Sequence, residues 1–104
     1  MTTTQLTLRV DAPTRDPHVV ARRYVIEAIR HVAAHNGGVV SPNSVRSLLA
    51  AVGADIPRGV PGATYRAMRR DGRLVPLGME RSDDVAGGNA GKWHETYRLV
   101  GGAL

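Results

Sequence analysis

Two dipeptides in which a capping residue precedes proline, Asp16-Pro17 and Ser41-Pro42, and the glycines that follow them, Gly37-Gly38 and Gly53, cut this chain into short helices. Asp or Ser offers a side-chain oxygen to the unpaired N–H groups of a first helical turn, and proline at the first helical position has no N–H to leave unpaired. Glycine closes a helix because it enters left-handed backbone without a Cβ clash. After Asp16-Pro17, residues Val20, Tyr24, Val25, Ala28, Ile29, Val32 and Ala33 recur at spacings of three and four. They predict an amphipathic helix of about five turns ending at Asn36-Gly37-Gly38. Val39-Val40 is long enough for a minimal strand only. Val45, Leu48, Leu49 and Val52 predict a second, shorter helix that closes at Gly53.

A turn over residues 54–59 leads to a third helix starting near Val60 or Pro61 and running to Asp71, with Gly72 as its stop. Leu74-Val75-Pro76-Leu77-Gly78 reads as a strand, and Pro76 makes it an edge or bulged one. Residues 79–92 read as a glycine-rich polar loop. Trp93 to Val100 alternates, with Trp93, Glu95, Tyr97 and Leu99 on one face, and predicts a last strand. Residues 1–16, where Leu6, Leu8 and Val10 alternate, are expected to be a flexible or short-strand arm. Residues 17–100 form one domain and residues 101–104 a frayed tail. The expected class is α+β.

Charge is distributed unevenly. The chain carries a formal net charge of +5, and of its fourteen basic residues only Lys92 is lysine. Between Arg58 and Arg73 five arginines (Arg58, Arg66, Arg69, Arg70, Arg73) face one acid, Asp71, so this segment alone carries +4 and the rest is nearly neutral. A concentrated basic patch favours a polyanionic partner. The arginine, alanine, valine and glycine usage is that of a high-GC genome.

Several chemistries find no support. With no cysteine, disulfides, thiolate metal sites and cysteine nucleophiles are excluded. His31 and His35 stand i, i+4 on the first helix but lack an obvious third ligand. Asp83-Asp84 sits in a glycine-rich loop, whereas a metal-dependent nuclease needs separated acids converging on an ion. Ser41, Ser44 and Ser47 have no His-Asp partnership. Gly87-Gly88-Asn89-Ala90-Gly91 lacks the strand-then-helix setting of a phosphate loop. Neither catalysis nor a cofactor is expected. No run reaches membrane-spanning length, and Met1-Thr-Thr-Thr-Gln5 lacks a basic-then-apolar start, so a cytoplasmic protein without a membrane partner is expected.

The order helix, short strand, helix, turn, helix, strand, loop, strand, with Arg66-Ala-Met-Arg-Arg-Asp-Gly-Arg-Leu74 at the third helix and its exit, resembles the winged helix-turn-helix DNA-binding domains. The likeness is greatest to small winged helix proteins of actinobacterial phages, and it covers residues 17–100. It implies a three-helix domain with a C-terminal β-hairpin wing, and double-stranded DNA as partner, in a transcriptional regulator or accessory DNA-binding factor. A lone domain of this size often acts as a dimer to cover enough DNA. A homodimer would use the exposed part of the first helix or the N-terminal arm, since no heptad seam is present.

An α-helix fits the DNA major groove, and arginine presents a planar fork to guanine O6 and N7. With Pro61, Tyr65, Met68 and Leu74 inward, the third helix turns Gly62, Ala63, Arg66 and Arg70 outward, with Arg69 at the flank. Arg66 and Arg70 are then assigned to base edges, and Arg58, Arg69 and Arg73 to phosphates. The opposite phase starts from Val60, buries Ala67 and exposes Tyr65, and both phases stay open. Arg81 and Lys92 are the cations of the wing, whose Glu80, Asp83 and Asp84 would be repelled by phosphate. A winged helix that holds a protein partner through an apolar face is the main alternative. Base stacking in RNA recognition would need Tyr65 or Trp93 exposed, and both are expected in the core.

Overall fold

The computed structural model describes Leu8 and residues 16–101. The expected arm and tail therefore lie outside the described residues, apart from Leu8, which is partly buried against the core, Asp16, and Gly101.

Asp16 opens the first helix as its sequence context requires. Its backbone is extended, and its carboxylate accepts the His18 N–H at 2.9 Å. Helix α1 (Pro17–His35) buries Ala21, Val25, Ala28, Ile29, Val32 and Ala33 along one stripe. Strand β1 (Val39–Val40) follows, then helix α2 (Pro42–Ala51), with Ser41 accepting the Ser44 N–H. Helix α3 (Val60–Arg70) starts from Gly59, whose φ of +90° suits glycine and disfavours other residues. At its far end Gly72 takes φ +75°, and the Arg73 N–H turns back to the Met68 carbonyl at 2.8 Å.

Strands β2 (Leu74–Arg81) and β3 (Trp93–Leu99) form an antiparallel hairpin, and β1 pairs with the other side of β3. The sheet order is β1-β3-β2, so β2 is an edge strand. Among the described residues, three helices and this three-stranded antiparallel sheet make an α+β domain around one core. Ile29, Val25, Val40, Val45 and Leu74 are fully buried at its centre. Burial of each such side chain contributes about 1.5–3 kcal/mol.

Strand β2 runs three residues beyond its expected end at Gly78. A bulge between Pro76 and Gly78 interrupts the alternation, after which Met79, Glu80 and Arg81 pair with Glu95, His94 and Trp93. A bulge inserts one unpaired residue and resets the period-two pattern, which hides the continuation from a reading by alternation. The loop is correspondingly shorter, residues 82–92.

The phase of α3 is settled by its buried residues Val60, Thr64, Tyr65 and Met68. Tyr65 stacks on Tyr97 with ring centroids 5.6 Å apart, so the phase that exposes Tyr65 does not occur. Pro61, expected inward, is half-buried, and Val60 and Thr64 take the inner positions. Thr64 is tolerated there because its hydroxyl donates to the Val60 carbonyl at 2.7 Å.

The hairpin is docked on the start of α2. The Asn43 side chain donates to the Arg81 carbonyl at 2.9 Å and accepts the Asp83 N–H at 3.1 Å. Glu80 accepts from the Ser41 hydroxyl, from the Asn43 N–H and from His94 Nε2 at 2.7 Å. A carboxylate from β2 thus sits on the N-terminal end of α2, where the helix dipole favours negative charge.

Candidate nucleic-acid interface

With Val60, Thr64, Tyr65 and Met68 turned to the core, helical geometry sends Gly62, Ala63, Arg66 and Arg70 to the opposite side. Arg66 and Arg70 are exposed and make no hydrogen bond or ion pair among the described residues. No acid lies in the first turn of α3, and Asp71 follows only as its C-cap. A Cβ on Gly62 would meet Arg66 Nη1 at 3.4 Å, so the Arg66 side chain lies back along the helix over its first turn.

Of the other arginines of the basic segment, Arg69 and Arg58 are engaged inside the molecule. Arg69 is exposed but pairs with Glu95 of β3 at 3.1 Å. Arg58 donates to the Gly87 carbonyl at 2.8 Å, tying the approach of α3 to the tip of the 82–92 loop. Arg73 is half-buried, and its Nε is buried with no partner among the described residues. Arg81 donates to the Gly91 carbonyl at 2.9 Å and covers the Trp93 ring, 4.5 Å from its centroid. Lys92 is exposed. Trp93, expected in the core, is 59% exposed, because its position at the loop end of the hairpin carries it past the helices.

The two loop acids share one cation, Arg46, which offsets part of their charge. Arg46 of α2 bonds to Asp83 and lies 3.8 Å from Asp84. Asp84 also organises the loop: it accepts from the Asn89 side chain at 3.1 Å and from the Gly87 N–H at 2.8 Å. These two bonds hold its carboxyl below the usual aspartate range. Ser82, buried, pairs through its backbone with Lys92 and Gly91, both at 2.8 Å. The hairpin end is therefore a hydrogen-bonded structure fastened to α2 and to the start of α3.

Arg46, Arg58, Arg66 and Lys92, together with Asp55 and Asp84, are among the residues that line a cleft of about 960 Å³ between α2, the start of α3 and the hairpin. Arg70 and Arg73 lie outside it. A second hollow of about 200 Å³ on the other side of the α3 start is lined by His18, Arg22, Arg58 and Ala63 among others. His18 and Arg22 were not singled out from the sequence, yet a signal exists. The first two turns of α1 carry His18, Arg22 and Arg23 and no acid in the first turn, against the preference of a helix N-terminus for negative charge.

His31 and His35 stack at 4.2 Å, and His35 Nδ1 is 2.8 Å from the His31 carbonyl. No cluster of three metal-ligating side chains occurs among the described residues. No helix among them is long and apolar enough to cross a membrane. No protein family, characterised protein or solved structure matches the chain.

Proposed function

We propose that this domain is a winged helix-turn-helix that binds double-stranded DNA, with α3 in the major groove and the β2–β3 hairpin as its wing. The observation that carries this reading is the outward face of α3: Gly62, Ala63, Arg66 and Arg70, free of acids, with both guanidinium groups unengaged among the described residues. Small residues at the helix start admit close approach, and unpaired arginines are available to base edges. Element order and the β1-β3-β2 sheet are compatible with this architecture.

Arg66 and Arg70 contact bases in this account. Arg58, Arg69 and Arg73 contact phosphates, joined by Arg22 and His18 beside the α3 start. Lys92 is the open cation of the wing, while Arg81 is held against Trp93. The domain would act as a transcriptional regulator or accessory DNA-binding factor in the cytoplasm, as a monomer or homodimer. Salt titration of binding to mixed-sequence duplex DNA, with an Arg66/Arg69/Arg70 triple alanine variant alongside, tests it. A steep slope lost in the variant is the expected result.

One observation favours a second reading, a protein-binding adaptor. Val75, Leu77 and Met79 are exposed apolar side chains on the edge strand β2, and exposed apolar surface of this kind marks protein contacts. Absence of DNA binding at low salt would favour it.

A further inference from the structure

The sheet has a second face, turned away from the core, that DNA binding by α3 does not use. Val40, Leu74 and Tyr97 are buried, so alternation along each strand sends their neighbours Val39, Val75 and Arg98 to the other side. The register sets these three in one row across all three strands, with Val39 opposite Arg98 and Arg98 opposite Val75. Val75 is 44% exposed, Val100 42%, and Arg98 is exposed between them. Arg98 makes no hydrogen bond or ion pair among the described residues. A Cβ on Gly38 would meet its Nη1 at 3.6 Å, so the guanidinium rests over the turn that enters β1. Arg73 lies beside Val100, whose N–H its carbonyl accepts at 2.8 Å, and adds a second positive charge at that end. Thr96 and His94 continue this face along β3. The one acid of the strands on this face, Glu80, stands at the far end opposite His94 and is taken by Ser41, His94 and the Asn43 N–H.

We propose that this outer sheet face docks a segment of a partner protein that sets an aspartate or glutamate between apolar side chains. The carboxylate pairs with Arg98, and the apolar side chains cover Val39 and Val75 on either side of it. Neighbouring strands lie about 4.8 Å apart, so both valines are within the span of one short segment centred on Arg98. An arginine framed by apolar surface is the kind of residue that anchors protein interfaces, and its planar fork matches a carboxylate. A second copy of this chain is a poor occupant. A two-fold contact centred on this row would set Arg98 against Arg98 with no acid to offset it. Duplex DNA is a poor one as well, because its phosphates call for several cations along a track, and this row offers one cation between two valines. The proposal goes beyond DNA binding by α3 and stands without it.

The full chain, without DNA, is used to select from a displayed library of random peptides, and the enriched sequences are synthesised and titrated by calorimetry. Enrichment of sequences with Asp or Glu between apolar residues is expected. Arg98→Glu is expected to weaken the synthesised peptide by about tenfold or more, since it sets like charges against each other. Val75→Thr, which keeps the side-chain shape and adds a hydroxyl, is expected to weaken it several-fold. Both positions are exposed, so the urea midpoints of the variants should stay close to wild type. Should Arg98→Glu lower the midpoint, Arg98→Gln takes its place. Arg66→Ala is expected to leave peptide binding unchanged while it weakens DNA, so failure of one activity is distinguishable from failure of the other. No enrichment, or enrichment of sequences without acids, overturns the proposal. So does a peptide whose binding survives both the Arg98 and the Val75 changes, or one that Arg66→Ala releases, which assigns its site to α3. A duplex DNA salt slope that Arg98→Gln lowers by about one also overturns it, and assigns Arg98 to a phosphate.

Discussion

Arg69 and Glu95 are joined across 3.1 Å, from the last turn of α3 to the middle of β3. The pair fastens the helix to the hairpin and cancels one positive charge beside the outward face of α3. Arg69 is 52% exposed, so the pair contributes little to stability, within about 1 kcal/mol. Its larger consequence is electrostatic. Glu95→Gln leaves Arg69 without its counter-charge, and duplex DNA affinity at low salt should rise several-fold, with the log-log salt slope steeper by about one. Equal affinity and slope in wild type and variant would show that Arg69 does not face DNA.

Arg66 and Arg70 differ from Arg69 in having no internal partner among the described residues and in pointing straight away from the core. Arg66→Ala or Arg70→Ala is expected to cost about 1–3 kcal/mol on a preferred site and to relax sequence preference, whereas Arg69→Ala weakens all sequences about equally. Competition assays against a randomised duplex pool separate the two behaviours. Uniform weakening by all three changes would place Arg66 and Arg70 on the phosphates.

Ile29 is fully buried at the centre of the core, where α1 faces α2, α3 and the sheet. Ile29→Ala should destabilise the domain by about 2–5 kcal/mol, from lost burial and the cavity left behind. Urea unfolding measures it. A loss below about 1 kcal/mol would mean that α1 packs elsewhere.

Glu80 supplies a pH dependence. Its partial burial pushes its carboxyl up, but the hydrogen bonds from Ser41, His94 and the Asn43 N–H outweigh that and bring it below the ordinary glutamate value of 4.5. A carboxyl depressed in the folded state stabilises the fold fully above its unfolded value and loses that contribution as pH falls through the folded one. Wild type should therefore lose thermal stability below about pH 4.5, and Glu80→Gln should flatten that part of the profile. Superimposable profiles would mean that the hairpin does not depend on this carboxylate.

The helices were legible in the chain because their signals are local. Asp16-Pro17 and Ser41-Pro42 cap where they stand, and Gly72 stops α3 within two residues of its last turn. The outward placement of Arg66 and Arg70 followed from helical phase once Tyr65 and Met68 were set inward. What escaped depends on partners distant in sequence. Asp83 and Asp84 are tied to Arg46 on α2, which offsets part of the charge that the loop acids present. Glu80 likewise serves the start of α2. The bulge at Pro76/Gly78 concealed the last third of β2. Trp93 is an aromatic expected in the core, but its place at the far end of the hairpin leaves it more than half exposed, with the Arg81 side chain against its ring. His18 and Arg22 join the basic surface only because α1 packs beside the start of α3.

The most direct test of the central claim is the salt dependence of binding to mixed-sequence duplex DNA, wild type beside the Arg66/Arg69/Arg70 triple alanine variant. A DNA-facing α3 predicts a steep negative log-log slope for wild type, and a variant that loses most of both affinity and slope while unfolding at nearly the same urea concentration. Wild type that fails to bind at low salt, or a variant that binds as wild type does, would contradict it.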